Sequence, residues 1–148
     1  MIDEELTRPI IKAFYKVYNS LGYGFIESVY HNAMIVELVR SGLSIETKKP
    51  IAVYYGASVI GTFEADLVVE KTVILELKAK ESLHPAHEAQ LINYLRATEV
   101  ELGLLLNFGR RAEFKRKYFS NKNKKRLESG VEPSILESLL KIDPPKSA

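Results

Sequence analysis

Residues 61–78 read G-T-F-E-A-D-L-V-V-E-K-T-V-I-L-E-L-K, two apolar strands separated by a short polar break. Asp66 lies inside the first run, and Glu76 and Lys78 lie inside the second. A charge in a sheet interior is costly unless it is paired or bound to a metal. Side chains alternate along a strand, so Glu76 and Lys78 share a face with Ile74. If Lys71 is the centre of an odd-numbered turn, Asp66 lies directly opposite Glu76, with Cβ atoms about 5 Å apart. Carboxylates that close repel, and each raises the other's pKa. Two arrangements relieve this. One is an Asp66–Glu76–Lys78 salt-bridge cluster on a half-exposed sheet. The other is a site for a hard divalent cation such as Mg²⁺, which takes oxygen ligands and commonly two carboxylates plus a substrate phosphate. The second set suits phosphodiester hydrolysis, where a cation neutralises the phosphate and activates water and Lys78 offsets developing charge. The spacing alone carries little, because E-x-K recurs at Glu46-Thr47-Lys48 and Glu113-Phe114-Lys115. The aliphatic setting and the preceding Asp distinguish the middle copy.

The rest of the chain sets bounds. Its 148 residues suffice for one domain with a core. No apolar run approaches the length of a membrane span, and the acidic start lacks the plan of a signal peptide, so a cytoplasmic location is expected. The absence of cysteine excludes disulfides, thiolate zinc sites and cysteine nucleophiles. The net charge of +2 is unevenly distributed. Residues 110–126 carry 9 Lys/Arg against 1 Asp/Glu, whereas residues 1–109 carry 10 against 14. The basic block suits either phosphate contact or a solvated, partly disordered tail.

Apolar residues recur at helical spacing over residues 4–21 and 26–40, with Gly22, Gly24 and Gly42 as stops. Strand signals follow over 50–55, 58–69 and 73–79, predicting an antiparallel meander. Pro85 suits the first turn of a helix running to Ala97. Residues 102–106 form a continuous apolar run, as in a strand buried on both faces. An edge strand is expected over 114–119 and a weak helix over 134–141. The order ααβββαβ describes an α/β domain, a mixed sheet flanked by helices, over residues 1–120, followed by a basic tail over 121–148.

Two further stretches carry polar residues at regular spacing. Residues 24–30 spell G-x-x-E-x-x-Y, and Glu27 flanks the inward stripe of its helix. Glu27 could ligate a metal or water, but its spacing alone favours a helix-start Glu matched to the macrodipole. On the later helix, His87, Gln90 and Tyr94 share a face. Gln90 and Tyr94 can bond phosphate oxygens or orient Lys78, although spacing alone favours a core Tyr and a solvated Gln. His87 reads as a surface or packing residue, and His31 and His84 have no partner at metal-ligand spacing.

Taken jointly, these pieces resemble the GxxExxY family, a branch of the PD-(D/E)XK nuclease superfamily. The resemblance spans residues 10–109 and rests on six segments. They are G-x-x-E-x-x-Y, P-I-x-V-x-Y from Pro50, A-D-L-V-V-E from Ala65, E-L-K-A from Glu76, H-x-x-Q-x-x-x-Y-L from His87 and G-L-L-L-N-F-G from Gly103. It implies a restriction-endonuclease-like core and dependence on Mg²⁺ or Mn²⁺. Asp66 and Glu76 would be the metal ligands, with Glu27 assisting. Lys78 would be the superfamily lysine, and Gln90 and Tyr94 the Q-x-x-x-Y pair of its RecB-like exonucleases. Ala65 replaces the proline of the signature. The substrate implied is nucleic acid, DNA by preference, with a homodimer or partner protein as possible assemblies. The alternative is a catalytically silent module of the same fold that binds nucleic acid or a protein.

Overall fold

The structure, a computed structural model, describes residues 4–124. Helices α1 (Glu4–Leu21) and α2 (Glu27–Arg40) precede strands β1 (Ile45–Tyr55), β2 (Ser58–Val69) and β3 (Val73–Lys78). Helix α3 (Pro85–Ala97), β4 (Leu102–Phe108), β5 (Ala112–Tyr118) and a 3₁₀ turn (Asn121–Asn123) follow. The strands form one sheet in the order β1-β2-β3-β4-β5. Only β3 and β4 run parallel, joined through α3; the other neighbours are antiparallel. The expected α/β architecture is therefore present, with β5 as an added edge and β1 beginning at Ile45 rather than Pro50. The first half of β1 is polar and lies on the sheet edge, so it shows no hydrophobic alternation. The proposed helix over 134–141 and most of the tail lie outside the described residues. The basic block is not all tail: β5 occupies residues 112–118, and Lys124 is buried, donating to the Thr98 and Val100 carbonyls.

Period-two alternation divides the apolar residues of the sheet between two cores. Leu67, Val69, Val73, Leu75, Leu77, Leu104 and Leu106 pack with Ile10, Phe14, Tyr30, Met34 and Leu38 of α1 and α2. Val68, Ile74 and Leu105 pack with Leu91 and Leu95 of α3. Glu76 and Lys78 have the parity of Ile74 and so belong to the α3 face. On α2, Tyr30, Met34 and Leu38 are fully buried, whereas Val36 is exposed.

The sheet opens where the charges are. β2 and β3 pair only at Leu67↔Leu75, Val68↔Ile74 and Val69↔Val73, although both strands continue. The connecting turn is Glu70-Lys71-Thr72, with positive φ at Glu70 and Lys71. It is the odd-numbered loop centred on Lys71, and it brings Asp66 level with Glu76. Phe63 and Ala65 join the α3 core while Leu67 joins the other, so β2 rotates through Asp66. Across from it, Lys48 has φ 51°, and the β1–β2 register passes from Thr47↔Leu67 to Lys49↔Ala65.

Candidate active site

Asp66 and Glu76 occupy the fork between β2 and β3, where their side chains replace the missing ladder bonds. The Leu77 N–H donates to Asp66 Oδ2 at 2.8 Å, and the Asp66 N–H donates to Glu76 Oε1 at 3.4 Å. His31 of α2 supports the kink from behind, its Nε2 donating to the Asp66 carbonyl at 3.0 Å. Both carboxylates are half-buried. Burial, followed by the charge of Asp66, pushes the Glu76 carboxyl up to about 8; the nearby Lys78 acts in the opposite direction. The Lys78 ammonium has no hydrogen bond or ion pair among the described residues. Its charge also reaches His87, whose pKa is lowered by burial and then by Lys78, His84 and Lys80.

The remaining residues singled out from the sequence lie on α2 and at and along α3. Glu27 is the first residue of α2, exposed, and within electrostatic reach of His87. Gln90 donates to the Tyr94 hydroxyl at 3.0 Å, and the Tyr94 ring stacks on Phe63 at 3.7 Å. These two therefore bond to each other, on the helix covering the Glu76 face. His84 and His87 cap α3: His84 Nδ1 accepts from the Ala86 N–H, and His87 Nδ1 accepts from the His84 N–H. Among the described residues no three His, Cys, Asp or Glu side chains gather closely enough to hold an ion between them. The Asp66–Glu76 pair alone offers hard oxygen donors whose mutual repulsion a divalent cation would relieve. Mg²⁺, which keeps several waters and binds through one or two carboxylates, suits that donor set.

Asn107 is a residue that the sequence reasoning missed. It is fully buried in β4, beside Lys78 in register. Its side-chain amide accepts from the Lys80 N–H and donates to the Lys80 carbonyl, both at 2.9 Å. This clamp fixes the chain as it leaves Lys78. Gly109 completes it, because a Cβ there would lie 2.2 Å from the Lys80 carbonyl oxygen. A polar residue within an otherwise apolar strand was the available signal. Asn107→Ala removes two hydrogen bonds to part-buried backbone groups and is expected to cost about 1–3 kcal/mol, read by urea denaturation. An unchanged midpoint would show that the clamp contributes nothing.

The G-x-x-E-x-x-Y stretch also acquires a physical basis. Gly24 has φ 114°, a conformation that L side chains rarely adopt. The buried Tyr30 hydroxyl donates to the Gly22 carbonyl at 2.6 Å and accepts from the Phe25 N–H at 3.2 Å. The tyrosine thereby holds the loop from which Glu27 begins α2.

A search of curated proteins returned no match. The crystal structure of SSO0001 aligns with a TM-score of 0.49 and 14% identity, covering 80% of this chain and 60% of that one. The chain thus spans less than two thirds of that protein's length. The family model of the PD-(D/E)XK nuclease superfamily matches residues 4–117, which include α1 through nearly all of β5 together with the Asp66–Glu76 fork, and the chain belongs to that superfamily.

Proposed function

We propose that this protein is a metal-dependent nuclease of the GxxExxY branch, hydrolysing phosphodiester bonds of nucleic acid, with DNA the favoured substrate. The observation that supports this most is the Asp66–Glu76 pair in the opened sheet, with the Lys78 ammonium two residues further along the same strand face and without an ion pair among the described residues. In this reading the two carboxylates hold Mg²⁺ or Mn²⁺, which supplies charge neutralisation at the phosphate and acidifies water. Lys78 orients the attacking water and offsets negative charge as it develops. Glu27, at the start of α2 and within electrostatic reach of His87, assists through water, and Gln90 and Tyr94 bind phosphate oxygens from α3. The cytoplasm is the setting consistent with these features, and among the described residues no helix is long and apolar enough to cross a membrane. A homodimer or partner protein would extend a small substrate surface.

The direct test is cleavage of end-labelled DNA and RNA with Mg²⁺, with Mn²⁺ and with EDTA. Lys78→Ala is expected to lower kcat about 10²-fold with little change in KM, because its contribution arises in the transition state. Equal cleavage by wild type and variant would remove Lys78 from the reaction. Salt-sensitive binding with no product under any metal would favour the silent binding module instead.

A further inference from the structure

We propose that the pocket beside the fork, walled by Tyr23, Phe25 and Arg110, captures one unpaired nucleobase, so that the substrate is a single strand or a frayed end. This rests on the nuclease reading for the phosphate next door; the pocket itself is argued from its own residues. Tyr23 and Phe25 are 55% and 48% exposed. Large rings held this far into water, on the loop between two half-exposed helices and lining one cavity, form an apolar surface of the kind that binds ligands. The cavity they border measures about 180 Å³ and is also lined by Gly24, Ala79, Lys80, Glu81 and Phe108. Both walls are held rigidly. The Tyr30 hydroxyl ties down the Gly22–Phe25 backbone. The Tyr18 hydroxyl lies 2.8 Å from the Gly109 carbonyl and 2.6 Å from the Arg110 carbonyl, anchoring the opposite wall. Little ordering remains to oppose binding.

Position and charge select the occupant. Ala79 and Lys80 directly follow Lys78, and Phe108 ends β4, so the pocket sits at the carboxyl ends of the parallel pair, where open α/β sheets bind ligands. Ala79 is three residues beyond Glu76, at most about 10 Å along the backbone and just past the end of β3, on the α1–α2 side of the sheet, so a nucleic-acid strand would pass over the end of β3 to reach it. That distance is within the span of one nucleotide from its phosphate to the edge of its base. The Arg110 guanidinium lies over the Tyr23 ring, 6.0 Å from its centroid, presenting cation and π-face together. Its ion pair with Glu81 at 3.2 Å is between exposed side chains and is weak enough to exchange for a phosphate. Flat aromatic faces with flanking cations bind unpaired bases through stacking, regardless of sequence. A continuous duplex offers such faces only at its ends.

The test uses 12-nucleotide DNA and RNA strands carrying 2-aminopurine, whose fluorescence falls on stacking, with the full chain in EDTA so that nothing is cut. Wild type is expected to quench the probe and to bind single strands at least ten-fold more tightly than blunt duplex. The Tyr23→Ala/Phe25→Ala double variant should lose about 10–100-fold on single strands and nothing on duplex, while Tyr23→Phe retains affinity. Both side chains are exposed, and an unchanged melting curve confirms that the variant folds. Wild-type affinity in the double variant, or a preference of wild type for blunt duplex, overturns the subsite. Base capture without cleavage in Mg²⁺ or Mn²⁺ upholds the subsite and defeats the nuclease reading. Metal-dependent cleavage of single strands at wild-type rate by the double variant does the reverse.

Discussion

Asp66→Asn is expected to reduce metal-dependent cleavage about 10³-fold while leaving the fold intact. Removing an outer-shell partner of a metal site commonly costs 10–100-fold, and loss of a charged oxygen ligand should exceed that. The asparagine oxygen still accepts from the Leu77 N–H, which Asp66 now satisfies at 2.8 Å. The fork therefore keeps its one strong cross-strand bond. Asp66→Leu separates the two roles: it abolishes cleavage equally but also strands that N–H, costing about 1–3 kcal/mol of stability. Asn-variant activity within ten-fold of wild type would remove Asp66 from the reaction. Equal stability of the Asn and Leu variants would show that the Leu77 bond does not hold the fork.

Much of this site was legible because a strand's period is two. Glu76 and Lys78 had to share a face, and the positive-φ residues Glu70 and Lys71 form the odd-numbered turn that the register argument required. The rotation of β2 was not legible. It places Ala65 and Leu67 in opposite cores, although residues two apart should face the same way. That twist depends on partners distant in sequence: Lys48 at φ 51° on β1 and His31 on α2. Tyr30 illustrates the same limit. It falls within the helical pattern of residues 26–40, and it is fully buried. Its hydroxyl nevertheless bonds Gly22, eight positions back and outside the helix, which no helical period encodes. Asn107 could have been found, because the rule that drew attention to Asp66 applies equally to an amide in an apolar strand. The basic block was ambiguous because charge counts ignore pairing. Lys117 meets Glu88 at 2.8 Å and Arg110 meets Glu81, so part of the charge is answered within the domain.

Glu76→Gln is expected to stabilise the metal-free protein at pH 8 by about 4 kcal/mol. Burial and the Asp66 charge push the native carboxyl up to about 8, whereas the unfolded chain titrates it near 4.5. Between those values the native state holds a proton that the unfolded state has released. The stabilisation is therefore fully present below pH 4.5 and is lost as pH rises through 8. His87 slopes the other way. Its native pKa is lowered from 6.5, so the unfolded state binds the extra proton and stability rises with pH in that window. The wild-type profile mixes the two slopes, and the difference between wild type and Glu76→Gln at each pH isolates the carboxyl. That difference should be near zero at pH 4.5 and grow to pH 8. A divalent cation bound by the pair favours the ionised form, so millimolar Mg²⁺ should raise the wild-type melting temperature more at pH 8 than at pH 5. It should leave the Gln variant nearly unmoved. A difference that stays flat from pH 5 to 8 would mean that Glu76 is solvated like any surface carboxylate. The fork would then have no need of a cation.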